Sequence, residues 1–178
     1  MKFLIASDIH GSAYYCRKLV ERFEKEAADR LILLGDLLYH GPRNDLPRDY
    51  APKEVISMLN ELRPKILCVR GNCDTEVDQM VLEFPILADY AVIECGSRLI
   101  YAAHGHKRGE LTDFLSDGDI LLCGHTHIPA CDEGRFTYLN TGSVSIPKGG
   151  SKNSYMTLED GVFVWRDLDG NEYMRCEV

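Results

Sequence analysis

Aspartate, histidine and asparagine recur in this chain in short polar groups, each directly after an apolar run. The groups are Asp8-Ile9-His10, Gly35-Asp36, Gly71-Asn72-Cys73-Asp74, His104-Gly105-His106 and Gly124-His125-Thr126-His127. These side chains suit divalent cations. A carboxylate offers hard oxygen and can bridge two ions, neutral imidazole suits Zn, Fe and Ni, and a mixed oxygen and nitrogen shell also accepts Mn. The Asn72 side-chain oxygen adds a neutral donor that limits the accumulation of charge. Four of the six histidines (His10, His104, His125 and His127) fall in this set, so the residue type is concentrated where such chemistry would be. Each group alone is weak, because Asp-x-His is ordinarily a surface pair and Gly-Asp ordinarily a turn. Five groups, each closing a strand-like run, weigh heavily against a purely structural origin.

The runs that precede the groups explain how distant residues could meet. Residues 2–7, 30–34 and 65–69 are short and rich in Leu, Ile and Val, as expected for strands of a sheet covered on both faces. A helix is expected over 12–27, with Ser12 as cap and Cys16, Leu19, Val20, Phe23 and Ala27 on one face. A second is expected over 52–62, with Pro52 in its first turn and Val55, Met58, Leu59 and Leu62 inward. Further strands are expected at 91–95, 98–103, 120–123, 136–140, 155–158, 162–166 and 173–176, with Gly96-Ser97, Asp160-Gly161 and Asp169-Gly170 at turns. The carboxyl ends of strands in α/β sheets form a common rim where ligands bind, and all five groups would sit there. The pattern reads as one α/β domain over residues 1–178, a mixed two-sheet sandwich with helices outside.

Composition narrows the partners. The formal net charge of −8 opposes binding to duplex nucleic acid, and leaves any phosphate substrate to be held by local positive charge. No apolar stretch approaches the roughly 20 residues that span a bilayer, and the N-terminus carries no secretory signal pattern. The seven cysteines are odd in number and form no Cys-x-x-Cys pair, so they read as reduced, buried thiols of a cytoplasmic protein.

The five groups, in this order and spacing, resemble the signature of the calcineurin-like metallophosphoesterases, over residues 2 to about 147. The stretches 40–44, 70–80 and 142–150 narrow the resemblance to the small bacterial YfcE-type phosphodiesterases. The resemblance implies a four-layer α/β/β/α sandwich, a centre of two divalent ions, Mn above all, and hydrolysis of a small phosphodiester by a metal-bridging hydroxide. It implies Asp8, His10 and His127 on one ion, Asn72, His104 and His125 on the other, and Asp36 between them. Asp36, Asn72 and His104 would then carry the catalytic work. Asp74 and the 140–143 loop are candidates for orienting these ligands, although Asp74 could equally be a helix cap.

One position departs from much of the superfamily, where His stands in place of Cys73. A thiol is a poor hydrogen-bond donor, so a general-acid contribution of about 10²–10⁴-fold would be missing, and activity would favour acidic leaving groups such as aryl esters. Cys73 is therefore expected on the substrate side, with Arg43 from the loop after Asp36. Arg70, Lys107 and Arg108 are weaker candidates for phosphate, and His106 reads as a surface or supporting histidine more than as a replacement acid. The competing readings are a protein-binding scaffold like the retromer small subunit, a phosphomonoesterase or nuclease of the same superfamily, and a zinc-stabilised structural domain. The complete donor set argues against the scaffold, and the scarcity of cysteine in that set argues against structural zinc. A homo-oligomer, dimer or tetramer, is also expected, with the C-terminal strands and Trp165 as a possible association surface.

Overall fold

The computed structural model describes residues 1–178 and contains two mixed sheets. Three strands of the first lie parallel: β1 (Phe3–Ala6), β2 (Arg30–Leu33) and β3 (Ile66–Cys68). Strands β4 (Tyr90–Cys95), β5 (Arg98–Ala103), β6 (Ile120–Cys123), β7 (Ala130–Asp132) and β8 (Thr137–Asn140) form the second sheet, in the order β4-β5-β6-β8-β7. The chain then returns to the first sheet through β9 (Ser154–Glu159), β10 (Val162–Asp167) and β11 (Glu172–Glu177), giving the order β11-β10-β9-β1-β2-β3. Strand β9 pairs antiparallel with β1, Ile5 opposite Met156, so the first strand lies centrally between the second and one of the last. In the second sheet β5, β6 and β8 are parallel, and their carboxyl ends complete one rim with those of β1, β2 and β3.

The burial of each strand follows its cover. Strand β6 is buried at all four positions, whereas edge strand β4 alternates between exposed and half-buried residues. Helix α1 (Ala13–Lys25) starts at Ser12, whose hydroxyl accepts the Tyr15 N–H, and lays Cys16, Leu19 and Phe23 on the first sheet. It stops two residues short of the expected 27. Ala27 turns left-handed (φ 50°), Ala28 N–H donates to the Phe23 carbonyl and Ala27 N–H to that of Glu24, a Schellman stop built without glycine. Helix α2 (Pro52–Glu61) buries Val55 and Leu59, while Met58 and Leu62 are only partly covered.

Three apolar clusters mark the three interfaces of a four-layer α/β/β/α sandwich. The largest lies between the first sheet and α1 and α2. The second joins the sheets through Ile5, Ile32, Ile100, Leu122, Phe163 and Trp165. Burying each such side chain contributes about 1.5–3 kcal/mol. The third is thin: Leu111 and Leu115 cover β6 from the one-turn helix α4 (Arg108–Leu111) and the turn after it. The second outer layer is thus far slighter than the first. Trp165 is fully buried between the sheets, its indole N–H donating to the Asn140 carbonyl at 2.7 Å. Its side chain therefore belongs to the core and adds nothing to an exposed face of the C-terminal strands. Strand β7, the one-turn helix α3 (Glu76–Gln79) and α4 are too short to leave a periodic signal, and were not expected.

Candidate metal centre

The rim gathers all seven expected donor side chains. His10 Nε2 lies 3.3 Å from His127 Nε2, and Asp8 Oδ1 lies 3.5 Å and 3.2 Å from those two nitrogens. A second group adjoins it. His104 Nε2 is 3.0 Å from Asn72 Oδ1 and 3.2 Å from His125 Nδ1. Asp36 Oδ2 stands between the groups, 3.7 Å from His10 Nε2 and 3.4 Å from His104 Nε2.

The surrounding backbone fixes which ring nitrogens face inward. Nδ1–H of His10 donates to the Tyr39 carbonyl at 2.7 Å, that of His104 to Leu34 at 2.7 Å, and that of His127 to Ile146 at 2.6 Å. A neutral imidazole with its Nδ1–H engaged presents Nε2 as a lone pair. Asp8 Oδ1 is buried with no hydrogen-bond partner, while Oδ2 accepts the His125 N–H at 3.0 Å. Acceptor therefore faces acceptor across the rim. A cation satisfies both sides at once, and a water or a side-chain donor could satisfy only some of them. The donor set fits two divalent ions.

The charges lead to the same conclusion. Burial pushes the Asp8 carboxyl up, but the imidazoles of His10 and His127 outweigh it and hold the group well below its ordinary range. Burial likewise opposes Asp36, and His104 overcomes it, holding that carboxyl low. In return burial lowers His104, yet Asp36 and Asp8 raise it to about 9.

The backbone is shaped for this cluster. Asp8, His10, Asp36, His125 and His127 all have φ between 49° and 66°, a left-handed conformation that is uncommon outside glycine and concentrates at functional sites. Two glycines are required by close approach. A Cβ on Gly71 would collide with Asp36 Oδ1, and one on Gly124 with the Ser7 hydroxyl. Asp74 is not a helix cap, because Thr75 caps α3 in a capping box with Asp78. Its carboxylate accepts the N–H groups of Asp36 and Leu37, both at 2.9 Å, and of Gly71 at 2.7 Å, tying the loop after β2 to the loop after β3. Asn140 donates to the Gly124 carbonyl at 2.6 Å, and Ser143 and Ser145 both donate to the Asp8 carbonyl, at 3.0 Å and 2.9 Å.

A cleft of about 400 Å³ opens over the cluster, lined by Asp36, Asn72, Cys73, His125 and His127 on one side and by Gly41–Asn44 and Lys148 on the other. Arg43 is thus among the residues that line the cleft. Lys148, which sequence reasoning did not single out, joins it as a second cation. The Cys73 thiol, pushed up to about 12 by burial and by Asp36, stays protonated at neutral pH, and it accepts from Asn72 Nδ2 at 3.2 Å. The four weaker candidates do not line this cleft. Arg70 donates to the Asp74 carbonyl and pairs with Glu76, Arg108 lies over the Tyr138 ring, and exposed His106, its ring centroid 5.5 Å from that of His104, lines an adjoining hollow with His104, Asp89, Lys107 and Phe114.

Residues 1–160 match the family model of the calcineurin-like phosphoesterase superfamily domain. The chain belongs to that superfamily. It is 46% identical to phosphodiesterase YfcE of Escherichia coli K12 over 164 residues, 91% of this chain and 89% of that protein. It is 28% identical to the probable metallophosphoesterase YsnB of Bacillus subtilis, over 97% and 94% of the two chains. The solved structure of the E. coli phosphoesterase YfcE superposes with a TM-score of 0.92 at 42% identity, covering 99% of each chain. A Vps29 double mutant from Entamoeba histolytica superposes over 100% of this chain and 99% of that one with a TM-score of 0.64 at 22% identity, a likeness of fold alone.

Proposed function

We propose that this superfamily hydrolase is a metal-dependent phosphodiesterase that acts on a small phosphodiester in the cleft between Arg43 and the rim. The observation that carries the reading is the set of inward-facing acceptors at the rim, with Asp36 shared between its two halves. The similarity to phosphodiesterase YfcE supports the diester as substrate. Asp8, His10 and His127 would hold one divalent ion and Asn72, His104 and His125 the other, with Asp36 on both. Mn suits this oxygen and nitrogen set. When bound, such a pair supplies an activated water and withdraws charge from the phosphoryl group.

The chain's own groups perform the remainder. Asp36 is immobilised by the Cys73 N–H, which donates to its Oδ1 at 2.8 Å and leaves Oδ2 free to face the histidines. The Asn72 amide is steadied through its contact with Cys73, so its oxygen stays aimed at the rim. Arg43 and Lys148 attract and orient the phosphate against a net charge of −8. Cys73, a protonated thiol, gives the leaving group little help, so diesters with acidic leaving groups are turned over best. No helix is long and apolar enough to cross a membrane. All seven cysteines are free thiols, which is consistent with a cytoplasmic setting.

The test is hydrolysis of bis(p-nitrophenyl) phosphate and p-nitrophenyl phosphate by chelator-stripped protein given Mn, Mg, Zn or Ni, beside Asp36→Asn. Diester turnover restored by metal and lost in the variant supports the reading. Preference for the monoester would make the protein a phosphatase. No turnover by folded, metal-loaded protein would overturn the reading in favour of a binding scaffold.

A further inference from the structure

Two cysteines far apart in sequence meet where the sandwich is open at its side. Strand β7 is the edge of one sheet and β11 the edge of the other. Cys131 lies in β7 and Cys176 in β11, and both belong to the apolar layer between the sheets. Glu133 stands two residues after Cys131, a spacing that returns to the same side of an extended chain. The two sulfurs and a Glu133 carboxylate oxygen all lie within 4.8 Å of one another. Tetrahedral zinc with bonds of about 2.3 Å to sulfur needs its sulfurs only about 3.8 Å apart, so modest side-chain movement would bring all three donors onto one ion.

We infer that Cys131, Glu133 and Cys176 form a second, separate metal site, selective for a thiophilic divalent cation of the zinc class, that clips the two sheet edges together. The donor chemistry differs from that of the rim. Two sulfurs and one carboxylate favour Zn over Mn or Mg, whereas the rim offers oxygen and nitrogen. The burial gradient suits entry from one side: Cys176 is buried, Cys131 half-buried and Glu133 exposed, leaving a fourth position to water. Burial, together with Cys131 and Glu133 nearby, pushes the Cys176 thiol up to about 12.

The test compares metal-stripped, reduced protein with its Cys131→Ser, Glu133→Ala and Cys73→Ser variants, all checked for folding by circular dichroism. Zn2+ bound per chain is counted by elemental analysis, and Co2+ is used as a spectroscopic probe. The parent and Cys73→Ser should each bind one equivalent of Zn2+ more than Cys131→Ser. With Co2+ they should show a near-ultraviolet thiolate charge-transfer band that Cys131→Ser lacks. Glu133→Ala, altered only at an exposed side chain, should keep the fold and bind that equivalent about tenfold or more weakly. Equal Zn2+ counts in parent and Cys131→Ser would overturn the inference. So would a band lost in Cys73→Ser but kept in Cys131→Ser, or a Cys131–Cys176 disulfide as the only product under reducing, zinc-containing conditions. If Cys131→Ser does not fold, unchanged Zn2+ affinity in Glu133→Ala overturns the inference, and weakened affinity upholds it.

Discussion

The rim and the C-terminal end of α1 use the same uncommon backbone and the same charge type, to different ends. Both place left-handed, non-glycine residues beside carboxylates: Asp8, His10, Asp36, His125 and His127 at the rim, and Ala27 beside Glu26 at the helix end. At the helix end the carboxylate finds ordinary partners. Glu26 receives Lys2 Nζ and the Tyr155 hydroxyl, both at 2.8 Å. At the rim Asp8 Oδ1 has no partner, and the neighbouring imidazoles turn lone pairs toward it. Strain at the helix end is a detail of chain reversal that glycine could relieve. Strain at the rim falls on the candidate donors themselves, because glycine there would remove the side chain proposed to hold the metal.

The largest effect should come from Asp36→Asn. Diester turnover is expected to fall about 10³-fold, on the scale of losing one preorganised charged group, while circular dichroism stays unchanged. Next in size is removal of metal. Saturation at about 100 times the dissociation constant contributes about 2.7 kcal/mol, so chelation should lower the melting temperature and Mn should restore it. His125→Gly sharpens the contrast, because it relieves a left-handed residue yet should lose both turnover and this Mn-dependent shift.

The helix end should respond in smaller steps and without loss of activity. Burial raises the Glu26 carboxyl, but Lys2, Tyr155 and Arg166 outweigh it and hold the group below the ordinary glutamate range. A depressed carboxyl adds stability above its unfolded pKa and loses it as pH falls through the folded one. Glu26→Gln should therefore cost about 1 kcal/mol or less near neutrality, and the difference from the parent should vanish in urea titrations as pH falls through the lowered folded-state pKa. A variant equally destabilised at every pH would mean that Glu26 acts by packing instead. The smallest effect is a gain: Ala27→Gly should stabilise by about 0.5 kcal/mol, left-handed strain relieved less the added freedom of the unfolded chain.

What the sequence disclosed divides along the same physical line. Strands β1, β2, β3 and β6 were legible because they read as short continuous apolar runs, and β5 because the Gly96-Ser97 turn precedes it. The donors were legible because each follows such a run. Their orientation was not, because the groups that fix it are backbone carbonyls of Tyr39, Leu34 and Ile146, and a carbonyl has no residue signature. Asp74 was left open between two roles, since only the fold brings the N–H groups of Asp36, Leu37 and Gly71 onto one carboxylate. Lys148 was hidden for a similar reason: it reaches the cleft from a loop far along the chain. The meeting of Cys131 with Cys176 depends on how two sheet edges stack, which no local pattern encodes.

The pairing of β1 with β9 also sets the order in which the molecule can be completed. A growing chain makes β1, α1 and β2 first, a local unit able to fold early, but the other flank of β1 stays bare until β9 has been synthesised. Until then an apolar strand displays unpaired amides and carbonyls to its surroundings, and the last strands must dock beside the first. Truncation at the C-terminus should therefore do more harm to yield than its distance from the rim suggests, because it leaves the earliest strand of the nascent chain as an open edge.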